Sequence, residues 1–181
     1  MILYVLVVAA YAPVALGLTG RHRVVAGLVA AVLLAGAVVV RLVGDVTVEA
    51  DVLGLFAAVL AVAGGSLVTT AVFDVIDAQS TGGTTESIEA AGQILRGGAW
   101  VGALERLAVF GSLVAGMPSG VALALAIKGL GRYPELRGGD RPATAERFII
   151  GTLVSVLWAA LCAYVATGFP VLDGGRPADV G

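Results

Sequence analysis

The sequence predicts an all-α polytopic transmembrane helix bundle of about six spans with a juxtamembrane amphipathic helix, and three observations carry that reading. Hydrophobic residues make up 59% of the 181 residues and charged ones 13%, against roughly 25% charged in an ordinary soluble domain. The 26 glycines are scattered through the apolar runs, as suits helices whose backbones approach closely in lipid. Apolar runs long enough to cross a hydrocarbon core, about 17–25 residues, recur along the chain, which reads as a single transmembrane domain over 1–181.

In chain order, residues 1–18 form the first span. The run lacks the positively charged start of a secretory signal and any convincing cleavage site, so it is expected to be retained. Spans over 24–43 and 52–73 follow. Residues 74–97 are polar, with Thr85 as a candidate cap of a short helix whose apolar Ile88, Ala91 and Leu95 share one face. A juxtamembrane helix lying on the membrane surface is the expectation there. A fourth span over 98–116, a short fifth over 118–131 and a sixth over 148–168 complete the set, with a basic loop over 132–147. "GMPSG" reads as a tight turn with Pro118 at the first position of a helix. Five spans, or a re-entrant fifth segment, is the competing arrangement.

Orientation follows from the cations, because short cytoplasmic loops carry the excess of Lys and Arg. Arg21, Arg23, Arg96, Lys128, Arg132, Arg137, Arg141 and Arg147 fall on one side, while Arg41 and Arg176 fall on the other among several acids. The expected topology places both termini outside the cytoplasm and the 132–147 loop inside it, with the cell membrane as the location.

The fourth span contains adjacent charges, Glu105 and Arg106. A charge near the bilayer centre costs on the order of 2.5–3.5 kcal/mol on insertion scales, so the two call for a partner or a role. Gly98, Gly102, Glu105, Val109, Ser112 and Gly116 form one helical stripe, small or polar apart from the valine. Gly98 and Gly102 have the spacing that draws helix backbones together, so Glu105 should face the bundle. Arg106 is rotated about 100° away, and its longer stem is expected to reach back toward the cytoplasmic interface. In an antiparallel hairpin Lys128 descends to about the level of Glu105, which makes Glu105 with Lys128 the preferred ion pair. Lys128 and Arg132 share a face with Ala124 and Gly120, another small-residue seam.

In the sixth span Thr144 is the expected cap, with Glu146 as a first-turn carboxylate. Thr152, Ser155, Ala159, Cys162 and Ala166 form a weakly polar stripe that belongs against other helices, and Ser66, Thr70 and Asp74 form a shorter one on the third span. These stripes either line a narrow polar path or permit close packing. Arg132, Arg137, Arg141 and Arg147 read as topology determinants near headgroups, with anionic lipid at the cytoplasmic face as a candidate partner. Trp100, Trp158, Tyr4, Tyr133 and Tyr164 read as interfacial anchors or packing residues. One cysteine and one histidine offer no metal set, so neither a metal nor a cofactor is expected. A net charge of −2 gives no basic field for nucleic acid. Membrane lipid, a second copy of the chain or another membrane protein are the expected partners.

Three blocks, "RGGAWVGALERLAVF", "LALAIKGLGRYPELR" and "AERFIIGTLVSVLWA", together resemble the recurring blocks of a family of bacterial integral membrane proteins, mainly actinobacterial, that has no established activity. The resemblance covers about 96–166 and implies a membrane protein whose motif charges are Glu105, Arg106, Lys128, Arg132, Glu146 and Arg147.

Three function classes remain. A translocator of a small solute or ion would use Glu105 and Lys128 as an intramembrane charge site and the polar stripes as its path. No inverted repeat or pair of broken helices accompanies it. A non-catalytic scaffold or assembly subunit would use the glycine seams to assemble and the basic loop to meet a partner. A membrane-embedded enzyme acting on lipid comes last, because the sequence has neither a nucleophile–base pair nor a phosphate loop.

Overall fold

The computed structural model describes the backbone over 1–18, 22–43, 50–79, 86–137 and 142–168, with side chains throughout these ranges except at 18, 50–51, 79, 86–98, 132, 134–137 and 142–144. Every element found there is helical: α1 (Ile2–Ala9), α2 (Tyr11–Leu18), α3 (Arg23–Val43), α4 (Ala50–Gln79), α5 (Glu86–Val114), α6 (Pro118–Arg137) and α7 (Pro142–Thr167).

α1 and α2 are two halves of one apolar helix. Pro13 has no N–H to give the Ala9 carbonyl, and the helix is interrupted one residue after Ala9. The Ala10 N–H still reaches the Leu6 carbonyl at 3.1 Å, and the Val14 N–H reaches the Ala10 carbonyl at 3.4 Å across the interruption.

α4 is the central element, packed against α7, α3 and α5, while α6 packs chiefly along α5. Core positions recur at helical spacing: Ala26, Ala30, Leu34 and Ala37 on α3, Leu53, Ala57, Leu60 and Leu67 on α4. Small residues set the separation between helices. At Gly27 an added Cβ would lie 2.8 Å from the Ala71 Cβ, so α3 and α4 approach too closely there for a side chain on both. The expected stripe on α7 is buried at Ser155, Ala159, Cys162 and Ala166.

The outward faces are as apolar as the core. Leu28, Val32, Leu55, Leu123, Ile127, Leu130, Ile149, Leu153 and Leu157 are all exposed. Water would not stabilise such a surface, and hydrocarbon would. Three helical stretches, Arg23–Val43, Val52–Ala78 and Ala145–Thr167, are long and apolar enough to cross a membrane, and Ile2–Gly17 and Pro118–Gly131 are shorter apolar helices. These are the dimensions of a membrane protein.

Helix ends differ from the span boundaries read from hydropathy. The polar 74–97 segment is not a separate connector, since α4 continues to Gln79 and α5 begins at Glu86. The amphipathic stretch over 86–97 is helical and continuous with the fourth span helix, with no break setting it apart. The 132–147 loop contracts likewise, because α6 continues to Arg137 and α7 starts at Pro142. Hydropathy marks where lipid-compatible side chains stop, whereas a helix stops where its hydrogen-bond ladder is broken. Thr144 therefore lies inside α7 rather than at its cap, and Pro142 takes the first helical position. The proposed cap at Thr85 lies outside the described residues.

Candidate functional site

The α5–α6 hairpin is closed by the turn that "GMPSG" encodes. Gly116, with φ of +69°, donates its N–H to the Leu113 carbonyl at 3.0 Å, and the Met117 N–H reaches the Ser112 carbonyl at 2.8 Å. These two bonds form a Schellman cap, and the positive φ suits a residue without Cβ. α6 then starts at Pro118. Gly116 is thus a capping residue rather than a helix-packing one, since nothing lies within 4 Å of where its Cβ would be. Gly120 does pack across the hairpin, with Ser112 Cβ 2.9 Å from the place of its Cβ.

The hairpin sets Lys128 opposite Glu105, and the two form an ion pair with both side chains about one-fifth exposed. The Lys128 ammonium also lies 5.8 Å from the centre of the Phe148 ring on α7. That distance is within the range of a cation–π attraction and links α6 to α7.

Arg106 takes a different course from the one expected. It does not reach back to the interface but enters the seam between α4, α5 and α7, where only 6% of it remains exposed. Nε donates to the Val62 carbonyl at 3.0 Å, Nη2 to Ser66 Oγ at 2.6 Å and Nη1 to Ser155 Oγ at 3.3 Å. The reason is room and acceptors. An added Cβ at Gly65 would overlap the Arg106 Cδ and lie 2.9 Å from Nε. At Gly64 it would lie 2.6 Å from Trp158 Cζ2. Two adjacent glycines on α4 thus make the slot for the guanidinium stem and for the Trp158 indole, whose Nε1 donates to the Leu60 carbonyl at 3.0 Å. Val62 and Ser66 sit near the middle of the span-length stretch of α4, and Ser155 near the middle of that of α7.

Other expected residues separate from this centre. Gly102 contacts no neighbouring helix; the nearest atom to the place of its Cβ is Nη1 of Arg106, at 3.3 Å. A side chain at this position would press on the guanidinium rather than on a neighbouring backbone. Ser155 is a hydrogen-bond acceptor for Arg106 as well as a packing residue. Thr152 donates to the Phe148 carbonyl at 2.7 Å within its own helix. Glu146 is exposed and is not in the first turn of α7, so it does not act as a helix-start carboxylate. Arg147, at the same end of the bundle, forms an exposed ion pair with Asp77 of α4 and lies 5.2 Å over the Phe73 ring. The side chain of Arg132 and the packing of Gly98 lie outside the described residues.

A cleft of about 810 Å³ opens between α5, α6 and α7. Glu105, Arg106, Lys128, Arg147, Thr152 and Ser155 supply its polar lining, and Leu104, Ile127 and Phe148 are among its apolar walls. Adjoining it is a cavity of about 10 Å³, no larger than one water molecule, which shares Glu105, Arg106, Lys128 and Ser155 with the cleft and adds Val109 and Val156. Further in, Val109, Phe110, Leu60 and Cys162 are buried and apolar. The polar lining therefore reaches the middle of the bundle from one end and stops.

Sequence reasoning missed Gly64, Gly65 and Asp77, and it gave Ser66 and Trp158 only generic roles. The signal for the first two was present, because paired glycines inside a span cost helix stability of roughly 1 kcal/mol each relative to alanine and call for a packing reason. Among the described residues no group of three or more His, Cys, Asp or Glu comes together. No protein-family model, curated protein or solved structure matches the chain.

Proposed function

We propose that this chain is a multipass protein of the cell membrane that passes a small solute or ion along the α5/α6/α7 cleft, with Glu105 and Lys128 as its gate and Arg106 as the fixed charge at its inner end. The observation that carries the reading is the place of Arg106: a guanidinium level with the middle of two span-length helices and bordering an open cleft. Charges at that depth are costly and mark solute or ion pathways. In this reading the apolar barrier of Val109, Phe110 and Leu60 is the closed side of an alternating path, and separation of Glu105 from Lys128 frees α6 to move.

Six passes with both termini outside the cytoplasm fit the charges. The antiparallel contact of Gly27 with Ala71 sets the start of α3, with Arg23, at the same end as Asp77 and Arg147. The blocks that resemble the actinobacterial membrane family carry Glu105, Arg106, Lys128 and Arg147 of the cleft, and membership of that family is part of this proposal.

The test is flux of protons, potassium, chloride and phosphate in liposomes containing the wild type or Glu105→Gln. Flux above that of empty liposomes, altered by the substitution, is expected for one of these. Equal, background flux for both proteins transfers the weight to a scaffold. That second reading is favoured by one observation: α6 packs chiefly on α5 and exposes Leu123, Ile127 and Leu130, an apolar face suited to another membrane helix. Anionic lipid at the basic end is proposed as a partner in either case.

A further inference from the structure

We infer that Arg106 is the seat of an anion-binding site, entered from the cleft beside Gly102, that takes the phosphate group of a small molecule or lipid. The inference rests on the same cleft and the same arginine as the proposed function, but it does not require transport.

A guanidinium carries five N–H donors and keeps its charge in proteins. Three donors are used, on the Val62 carbonyl and the hydroxyls of Ser66 and Ser155, and all three acceptors are neutral. Among the described residues two N–H groups are left without an acceptor. Among the described residues no carboxylate forms an ion pair with Arg106: Glu105 is held by Lys128, and Asp77 by Arg147. The seam therefore contains one buried positive charge whose hydrogen-bond partners are neutral; the carboxylate that acts on it is the adjacent Glu105, already shared with Lys128. Burial of a charge is costly unless a counter-charge accompanies it, and a planar fork with two donors to spare matches an oxyanion.

Access and surroundings agree with this. A Cβ on Gly102 would lie 3.3 Å from Nη1 and 4.0 Å from Cζ and Nη2, so glycine leaves room beside the buried guanidinium along the cleft that both residues line. Lys128 and Arg147 on the same lining add positive potential, partly offset by Glu105. The cleft, at about 810 Å³, is of the size that holds a whole small molecule. Its walls at Leu104, Ile127 and Phe148 suit a hydrocarbon portion beside the charged end. A free phosphate and a phosphate-bearing lipid headgroup share the recognised chemistry.

Trp158 provides the readout, because it and the Arg106 stem both border Gly65 and the chain has only one other tryptophan. The full chain carrying Trp100→Phe is purified in detergent and titrated with dihexanoyl phosphatidate, inorganic phosphate and the neutral dihexanoylglycerol. A saturable change in Trp158 fluorescence is expected with phosphatidate, phosphate or both, and none with dihexanoylglycerol. Response to phosphate as well as phosphatidate assigns a free oxyanion; response to phosphatidate alone assigns a lipid headgroup. Arg106→Gln and Gly102→Val should each weaken binding at least about tenfold. If Arg106→Gln does not fold, Gly102→Val, which keeps the arginine and fills its window, decides alone once its helical circular dichroism matches the parent. No saturable response, an equal response to dihexanoylglycerol, or unchanged affinity in Gly102→Val overturns the assignment. Absence of flux in the liposome assay would sink passage but leave this site standing.

Discussion

Glu105 and Arg106 are neighbours in sequence, yet they belong to two differently built regions. Arg106 enters the three-helix seam of α4, α5 and α7, where its partners are a backbone carbonyl and two hydroxyls and glycines are cut to its outline. Glu105 turns to the two-helix hairpin, where its partner is another charge, the pair is partly exposed, and α6 packs chiefly on one neighbour. A seam shaped around one side chain resists change. A pair that is about one-fifth exposed and lies between only two helices can open at lower cost than a filled three-helix seam, because the cleft beside it gives partial screening. Charge type alone therefore does not tell a fixed element from a movable one; the fit of the surrounding atoms does.

The largest effect that would sharpen this contrast is expected from Gly65→Val. The added side chain meets the Arg106 stem and Trp158 Cδ1, 3.2 Å from the place of the first carbon. A loss of about 3 kcal/mol on thermal or denaturant unfolding in detergent is expected, and a loss near zero would mean that the seam is loosely packed. Trp158→Phe removes the bond to the Leu60 carbonyl and part of the ring. It should cost about 1–2 kcal/mol in the same assay.

In the hairpin, Glu105→Gln and Lys128→Met should show a coupling of about 1 kcal/mol in a double-mutant cycle. The double variant is then expected to lose less than the two singles added together. Strict additivity would remove the ion pair from the account. The smallest effect belongs to Arg147→Gln, whose pair with Asp77 is about half exposed. It should change stability by no more than about 0.5 kcal/mol, and less still at high salt.

The helical class was legible because composition and 3.6-residue periodicity bear directly on it, and the buried face of α7 followed from Ser155, Ala159, Cys162 and Ala166. The Glu105 partner was legible for a geometric reason: Pro118 and Gly116 fix the turn, so the level of Lys128 follows from the rise of the two helices. Helix ends were not, since the polar residues over 74–79 and 132–137 leave the apolar run without breaking the backbone ladder. The destination of Arg106 was hidden for another reason. Its acceptors lie on α4 and α7, and only the folded bundle brings Val62, Ser66 and Ser155 together. Gly64-Gly65 hinted that something bulky needed space but did not say which side chain.

The most direct test of the contrast truncates one cation in each region. Arg106→Ala and Lys128→Ala are purified in the same detergent, and their unfolding is compared with that of the wild type. Arg106→Ala empties a fitted slot and strands its acceptors, so it should lose at least about 2 kcal/mol more than Lys128→Ala. Equal losses, or a greater loss for Lys128→Ala, would contradict the account and make the hairpin pair the structural fixture of the bundle.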